Sequence, residues 1–160
     1  MRIVGVDPGT HKVGYAVVDA SAKGLRVVDC GVIRAGKKDL SKRLKDIYDG
    51  ILDVISLHEP DCIAVEECFY AKNVQTTVKI GEGRGVILLA AAVCQVEVAE
   101  YSPAEVKKSV VGNGQAHKSQ VQRMVQLLLG LPAPPEPDDV ADALAIAICH
   151  SHRAKEAARA

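Results

Sequence analysis

Short apolar runs rich in Val and Ile alternate with turn residues over the first part of the chain. The runs at residues 3–6, 13–18 and 25–33 are separated by Gly, Pro, Asp and Ser, which favour turns. Connections this short join antiparallel neighbours. The pattern therefore predicts three successive antiparallel strands at the start of the fold.

The spacing of apolar residues changes from that of a strand to that of a helix after residue 39. Apolar side chains recur every three or four residues, which predicts an amphipathic helix from an Asp39 or Ser41 cap to a stop at Glu59-Pro60. The segment DCIAVEE follows and has the composition of a buried strand. Helix and strand together form a crossover that returns the chain to the sheet.

Helices and strands alternate through the rest of the chain. A helix is predicted at Val74–Val93, a fifth strand at VEVAEY, and a short helix after a Ser102-Pro103 cap. Two further helices are predicted at Lys118–Leu129 and from Asp138 to about His152. This order predicts an α/β fold with a mixed five-stranded sheet and helices on both faces. We expect one domain over residues 1–152 and a frayed or disordered tail at 153–160.

Length and composition favour a cytoplasmic protein with no membrane partner. The 160 residues suit one domain, and although 48% are hydrophobic, no uncharged apolar run approaches the ~20 residues of a membrane span. The five cysteines are odd in number and widely spaced, which is typical of reduced cytosolic proteins. Cys149, His150 and His152 lie close together, but no CxxC motif elsewhere in the chain accompanies them, so a zinc site is disfavoured.

The charges are segregated, although the net charge is zero. Basic side chains crowd residues 34–45 with only Asp39 against them, whereas acidic side chains crowd residues 136–142. A run of basic residues is by itself most often a solvated surface. The distribution therefore leaves nucleic-acid binding open without establishing it.

Acidic residues stand at the ends of three predicted elements. Asp7 and Glu66 follow buried strands, and Asp139 and Asp142 share one face of the last helix because they are three residues apart. Side chains at the carboxyl ends of neighbouring strands in an α/β sheet converge on one crevice. We expect these four carboxylates to meet there.

A cluster of carboxylates calls for a cation. Anions this close repel one another and shift toward the protonated form unless a positive charge is present. Oxygen ligands suit Mg²⁺ or Mn²⁺, and two such ions ~3.5–4 Å apart promote phosphodiester hydrolysis. The cluster therefore predicts a metal-dependent hydrolase.

Each acidic residue also has a structural interpretation when it is taken alone. Asp7 could form an Asx turn, and Asp139 could favour the helix dipole. Asp138 is better explained as an N-cap than as a ligand, and Glu67 is expected to point to the opposite side of its strand. The metal-site hypothesis therefore depends on the set of carboxylates rather than on any one of them.

Four segments together resemble the RuvC family of bacterial Holliday junction resolvases, in order and over essentially the whole chain. They are GVDPGTHKVGYAVVD, AVEECFYAKN, VKKSVVGNGQAHKSQVQ and DDVADALAIAICH. The resemblance implies an RNase H-like fold in which Asp7, Glu66, Asp139 and Asp142 are the catalytic, metal-binding residues.

The same resemblance implies an activity and a set of partners. The implied enzyme is a Mg²⁺-dependent endodeoxyribonuclease that cuts two opposed strands of a four-way junction in recombination and repair. It would use metal-activated water rather than a protein nucleophile. The resemblance also implies a homodimer and a branch-migration motor complex of the RuvA and RuvB type.

Three further residues are candidates for DNA binding. Phe69 lies in the predicted loop after the strand that ends at Glu66, where it could stack on an unpaired base or plug the loop; both interpretations remain open. Lys107 and Lys118 match lysines near the family's active site. They flank the turn GNGQ, where glycine allows the backbone to approach a phosphate.

One stretch departs from the family pattern. The predicted second helix carries KIGEGRG, where Gln-Ala is expected in place of Glu82-Gly83. Each glycine costs a helix about 1 kcal/mol relative to Ala. Close contact between helices at a dimer interface would offset this cost, and a local break in the helix is the alternative. The expected interface is Val74–Val93, with close approach at the small residues Gly81, Gly85, Ala90 and Ala91 and apolar burial by Val78, Val86, Leu88 and Leu89.

Three other functions are alternatives to junction resolution. VDPGT also resembles the phosphate-binding turn of actin-like sugar kinases, but those need two such domains and a chain at least twice as long. An RNase H-like nuclease of the YqgF type, acting on RNA, shares the Asp-x-Gly opening, yet the Phe69 loop and GNGQAHKSQVQ fit the resolvase better. A non-catalytic junction-binding protein would leave the four carboxylates unexplained.

Overall fold

A computed structural model describes residues 1–67 and 73–159 of the chain. The described strands are β1 (Arg2–Asp7), β2 (Lys12–Ser21), β3 (Gly24–Arg34), β4 (Cys62–Glu66) and β5 (Glu97–Tyr101). The described helices are α1 (Leu40–His58), α2 (Val74–Val93), α3 (Pro103–Val111), α4 (Lys118–Leu129) and α5 (Asp138–Ala157).

The strands form one mixed sheet in the order β3-β2-β1-β4-β5. β1 pairs with β2 and β2 with β3 in antiparallel fashion, whereas β1–β4 and β4–β5 are parallel. This confirms the predicted five-stranded mixed sheet. β2 and β3 are longer than predicted, because their pairing continues through polar residues as far as Ser21 and Gly24.

Helices cover both faces of the sheet, as predicted. On one face α1 and α2 bury Ile47, Ile51 and Ile87 against Val4 and Val6 of β1. On the other face α3, α4 and α5 pack over the opposite side chains of the strands. No helix in residues 1–67 and 73–159 has the length and apolar character needed to cross a membrane.

α5 is more deeply buried than its sequence pattern predicted. The pattern indicated one apolar face, but nearly every side chain from Val140 to Cys149 is buried, and Asp142 is the partly exposed exception within that range. The reason is that α5 contacts β1 and β2 on one side and α3 and α4 on the other. The helix continues to Ala157 rather than ending near His152, so most of the predicted tail is helical.

Two glycines allow α5 to lie directly on the strands. A Cβ atom at Gly5 of β1 would collide with the backbone oxygen of Ala143, and one at Gly14 of β2 would collide with that of Asp139. Glycine is therefore required for this close approach of backbone to backbone. The contact at Gly14 places the first turn of α5 beside the end of β1.

α2 runs without interruption through its three glycines, so the predicted alternative of a local break is wrong. Gly83 lies against the backbone of Gly9, whereas Gly81 and Gly85 face open space. Ala90 and Ala91 are fully buried within the protein's own core, so the expectation that they belong to a dimer interface is wrong.

Candidate active site

Asp7 and Glu66 end neighbouring parallel strands. Val6 pairs with Val65 in the β1–β4 register, so the next residues, Asp7 and Glu66, stand side by side at the carboxyl edge of the sheet. Side chains alternate along a strand, and Asp7 therefore shares with Gly5 the face that α5 covers. The strands thus present two carboxyl groups beneath the start of α5.

Asp139 and Asp142 lie in the first turns of α5 and each pairs with a lysine. Lys12 Nζ is 2.6 Å from Oδ2 of Asp139, and Lys118 Nζ is 3.0 Å from Oδ2 of Asp142. Lys12 begins β2 and Lys118 begins α4, so the two ammonium groups come from different elements. All four predicted carboxylates are therefore brought to one end of the sheet.

The carboxyl groups of the two strands have strongly raised pKa values. Burial raises the pKa of Asp7 to about 7, and the charges of Asp142, Glu66 and Asp139 add to this effect. Burial and the charge of Asp142 raise the pKa of Glu66 to about 7, against the opposing effect of Lys107 and Lys118. A carboxylic acid whose pKa is raised to near neutral pH lies where burial and neighbouring negative charges outweigh the nearby positive charge.

Asp142 occupies an intermediate environment. Burial raises its pKa, whereas the hydrogen bond and charge of Lys118 lower it, and the net shift is upward. Lys118 therefore compensates the negative charge of the cluster only in part.

Lys107 and Lys118 line one cavity with two of the carboxylates. Lys107 lies in the middle of α3, whose start is fixed by a capping box in which Ser102 and Glu105 bond each other's backbone N–H groups. The cavity has a volume of about 220 Å³. Its lining residues are Glu66, Pro103, Val106, Lys107, Lys118, Val121, Asp142, Ala145 and Ile146. Carboxylates, ammonium groups and apolar side chains therefore line the same cavity.

The four acidic residues fit a divalent metal by their chemistry. All of their donor atoms are carboxylate oxygens, which Mg²⁺ and Mn²⁺ prefer. Asp7 and Glu66 accept no side-chain hydrogen bond from residues 1–67 or 73–159, so their oxygens are available there. As the side chains stand, however, no three His, Cys, Asp or Glu residues of these ranges converge closely enough to hold an ion. Coordination of one ion by three of these groups would therefore require side-chain movement.

The neighbouring acidic residues, Glu67 and Asp138, are more exposed than the four carboxylates of the cluster. Asp138 pairs with Lys118 at 3.2 Å and accepts a hydrogen bond from Gln122, and these contacts lower its pKa. The N-cap position of α5 belongs to Pro137, so the prediction that Asp138 is the N-cap is wrong by one residue. Glu67 is exposed. Phe69 lies outside the described residues.

Sequence reasoning missed two residues that touch Asp139. Lys12 is 127 positions away from it in the chain, so no local pattern could indicate their ion pair. Gly14, whose missing side chain admits the backbone of Asp139, did carry a signal, since an isolated Gly inside a strand often marks close backbone approach.

Comparison with known proteins gives consistent matches over nearly the whole chain. The sequence profile of the family described as Crossover junction endodeoxyribonuclease RuvC matches residues 3–150. The proteins of that name from Moorella thermoacetica and Halothermothrix orenii are 54% and 49% identical over 153 residues. These alignments cover 94% and 95% of this chain and 91% and 93% of the relatives.

A solved structure matches the fold equally well. RuvC of Thermus thermophilus, in complex with Holliday junction substrate, superposes with a TM-score of 0.92 at 34% sequence identity. The superposition covers 98% of this chain and 96% of that one. This likeness confirms the RNase H-like fold that the sequence motifs implied.

Proposed function

The chain belongs to the RuvC family of crossover junction endodeoxyribonucleases, and we propose that it resolves four-way DNA junctions by hydrolysing one phosphodiester bond in each of two opposed strands. The observation that carries this proposal is the meeting of Asp7, Glu66, Asp139 and Asp142 at one end of the sheet, beside Lys107 and Lys118. Such resolution serves homologous recombination and DNA repair.

We propose Asp7, Glu66, Asp139 and Asp142 as the catalytic residues and as the ligands of two Mg²⁺ ions, for which Mn²⁺ can substitute. Divalent ions held in this way activate water and stabilise the leaving oxygen in phosphodiester hydrolysis. The support from the protein is that burial raises the pKa values of Asp7 and Glu66 to about 7, and that neither carboxyl group forms an ion pair within residues 1–67 and 73–159. Ca²⁺, with longer bonds and looser geometry, should bind without supporting efficient cutting.

Lys107 and Lys118 are proposed to hold the DNA backbone over the carboxylates. Their ammonium groups line the same cavity as Glu66 and Asp142, where a phosphate brought to the carboxylates would meet positive charge. Phe69 remains a candidate for stacking on a base at the junction centre. This arrangement orients the scissile phosphate by charge and leaves the acidic groups free to act.

A homodimer is proposed because two opposed strands need two active sites. A twofold dimer places two identical sites on a junction of approximate twofold symmetry. α2 supports this proposal, since it exposes several large apolar side chains, among them Val78 and Leu89, which are 53% and 57% exposed. Gly85 is also exposed on α2, so Gly85→Leu should weaken the dimer, whereas Ala90 and Ala91 are buried and cannot contribute.

We also propose that the protein acts in the cytoplasm, because its substrate would be chromosomal DNA. A motor complex of the RuvA and RuvB type, which would move the junctions, is proposed as a partner.

Strand-resolved cleavage tests the substrate directly. A synthetic four-way junction labelled on each strand in turn is compared with linear duplex DNA and with RNA, each in Mg²⁺. The expected result is a pair of symmetrically placed cuts in opposed strands of the junction and little cutting of the others. Preferred cutting of RNA would favour the YqgF-like alternative, and equal cutting of linear duplex would contradict structure specificity.

Mixed dimers test the paired cut. Wild-type protein is combined with excess Asp7→Asn protein and scored on a closed plasmid that extrudes a cruciform. Dimers with one active site should give nicked circles at the expense of linear product. An unchanged yield of linear product, or full activity from a protein that sediments as a monomer, would contradict the dimeric mechanism.

A further inference from the structure

Lys12 and Gly14 of β2 both approach Asp139. The two residues are two positions apart in a strand and therefore lie on the same face of the sheet. Gly14 admits the backbone of Asp139, and the Lys12 ammonium reaches its carboxylate at 2.6 Å. The start of β2 thus fixes both the main chain and the side chain of this acidic residue.

The ion pair is half open to solvent. The side chain of Lys12 is 53% exposed, whereas that of Asp139 is 16% exposed. A flexible ammonium in this position can leave without disrupting the core, while the carboxylate stays in place because α5 is packed on the sheet. The contact therefore has the character of a displaceable counterion rather than of a structural tie.

The acidic side chains also do not converge closely enough to hold a metal in the described ranges. Oδ2 of Asp139 is occupied by Lys12, and Oδ2 of Asp142 is occupied by Lys118. An oxygen that accepts a strong hydrogen bond from an ammonium has less electron density to offer a cation, and the positive charge repels the cation as well. Metal binding at the site and retention of these lysine contacts therefore compete with each other.

We propose that Lys12 is the resident counterion of Asp139, that a divalent ion displaces it, and that Lys12 thereby sets the metal concentration at which the site fills. This inference rests on the metal site of the proposed function. It concerns Lys12 alone. Lys118 is also proposed to contact DNA, so removing the Lys118 side chain would change both metal binding and DNA binding.

The size of the effect follows from the exposure of the pair. Ion pairs between solvent-exposed groups stabilise proteins by about 0.2–1 kcal/mol, which corresponds to at most about a fivefold change in a binding constant. Removing the Lys12 charge should therefore tighten metal binding by about two- to fivefold. Lys12→Arg, which keeps the charge, should stay close to wild type.

The test is calorimetric titration of Mn²⁺ into the intact protein without DNA, with Lys12→Met as the variant. Arg34→Met is the matched control, since Arg34 pairs with Lys12 across the β2–β3 register and lines the same shallow depression beside Asp139. Lys12→Met should bind Mn²⁺ about two- to fivefold more tightly, and Arg34→Met should change little. Lys12→Met should also show a larger rise in melting temperature on adding Mn²⁺.

The outcomes separate this inference from the proposed function. If wild type binds Mn²⁺ and Lys12→Met binds it equally or more weakly, the counterion role is overturned and the proposed metal site stands. Equal tightening in Lys12→Met and Arg34→Met would also overturn it, because general charge would then be the cause. If wild type binds no Mn²⁺, the proposed metal site fails and the inference fails with it. Should Lys12→Met fold poorly, Lys12→Gln replaces it under the same criteria.

Discussion

The two strand carboxylates and the two helix carboxylates of the site differ in their surroundings. Asp7 and Glu66 are held by the sheet, titrate near pH 7, and have no cationic partner in contact within residues 1–67 and 73–159. Asp139 and Asp142 stand on the first turns of α5, and each is paired with a lysine. The same residue types thus carry uncompensated charge on the sheet and compensated charge on the helix.

This difference indicates which carboxylates depend most on a bound metal for charge compensation. Burial of Asp7 and Glu66 without a counterion makes their ionised form costly, and a divalent cation removes that cost. The helix carboxylates are already paired with lysines. These lysines must move away before the carboxylates can bind a metal. We therefore expect substitutions on the strands to affect metal-free stability and those around the helix to tune metal affinity.

The largest expected effect is the loss of cleavage on removing a strand carboxylate. Asp7→Asn should lower junction cutting by about a hundredfold or more, because it removes a charge that would hold the metal ions. Junction affinity should stay within a few-fold, because the variant removes no phosphate-binding cation. Gel-shift and cleavage assays on one junction measure both quantities. Glu66→Gln, Asp139→Asn and Asp142→Asn should behave alike.

Asp138→Asn and Glu67→Gln are the controls for this series. Both residues are exposed and lie outside the cluster, so both variants should remain active. An essential Asp138 beside a dispensable Asp139 would contradict the assignment on α5, and parallel loss of binding and cutting in Asp7→Asn would contradict its catalytic role.

A second prediction concerns the contact that brings helix and strands together. Gly14→Ala should lower the free energy of unfolding by about 1–3 kcal/mol, because its Cβ would collide with the backbone of Asp139. Gly81→Ala, on the open side of α2, should instead raise it by up to about 1 kcal/mol. Urea unfolding monitored by circular dichroism measures both. Equal stability of the two variants would argue against close packing at Gly14.

The third prediction is a pH dependence of metal-free stability. The raised pKa of Asp7 means that the folded protein keeps a proton that the unfolded chain has lost, so this stabilising contribution is present below about pH 4 and disappears as pH rises through about 7. With a chelator present, the melting temperature of Asp7→Asn should therefore fall less between pH 5 and pH 8 than that of wild type. Glu67→Gln is the exposed control and should follow wild type; parallel curves for all three proteins would contradict the burial of an uncompensated Asp7.

The smallest expected effect concerns salt. Binding to a four-way junction should weaken as salt rises, because phosphate contacts release counterions. Lys107→Ala or Lys118→Ala should each reduce the slope of log affinity against log salt by about 1. Fluorescence anisotropy on an uncleaved junction in Ca²⁺ measures the slope. An affinity that does not respond to salt would contradict the proposed backbone contacts.

Much of the fold was predictable because local signals agreed with it. The bounds of α2 and α4 match the prediction, and the Ser102 cap of α3 forms as its sequence indicated. The continuation of α5 to Ala157 was not predicted, because Arg153 and Lys155 break the apolar pattern while their backbone remains helical. Local pattern also could not tell that Ala90 and Ala91 face the core.

The site was predictable to a lesser degree. The positions of Asp7 and Glu66 followed from strand ends meeting at one edge, which is a rule of topology. The pairing of Lys12 with Asp139 depends on contact between β2 and α5 across most of the chain, so no spacing rule could reveal it. Charge compensation within the cluster therefore had to be read from the folded structure.

The most direct test of the account is the location of bound metal. Crystals of the protein soaked in Mn²⁺ should give anomalous scattering peaks bordered by Asp7, Glu66 and at least one of Asp139 and Asp142, with Lys12 moved away from Asp139. Asp7→Asn crystals soaked in the same way should show no anomalous peak beside residue 7. Saturating Mn²⁺ with no peak at this end of the sheet, or a peak that survives unchanged in Asp7→Asn, would contradict the proposal that these carboxylates form the metal site.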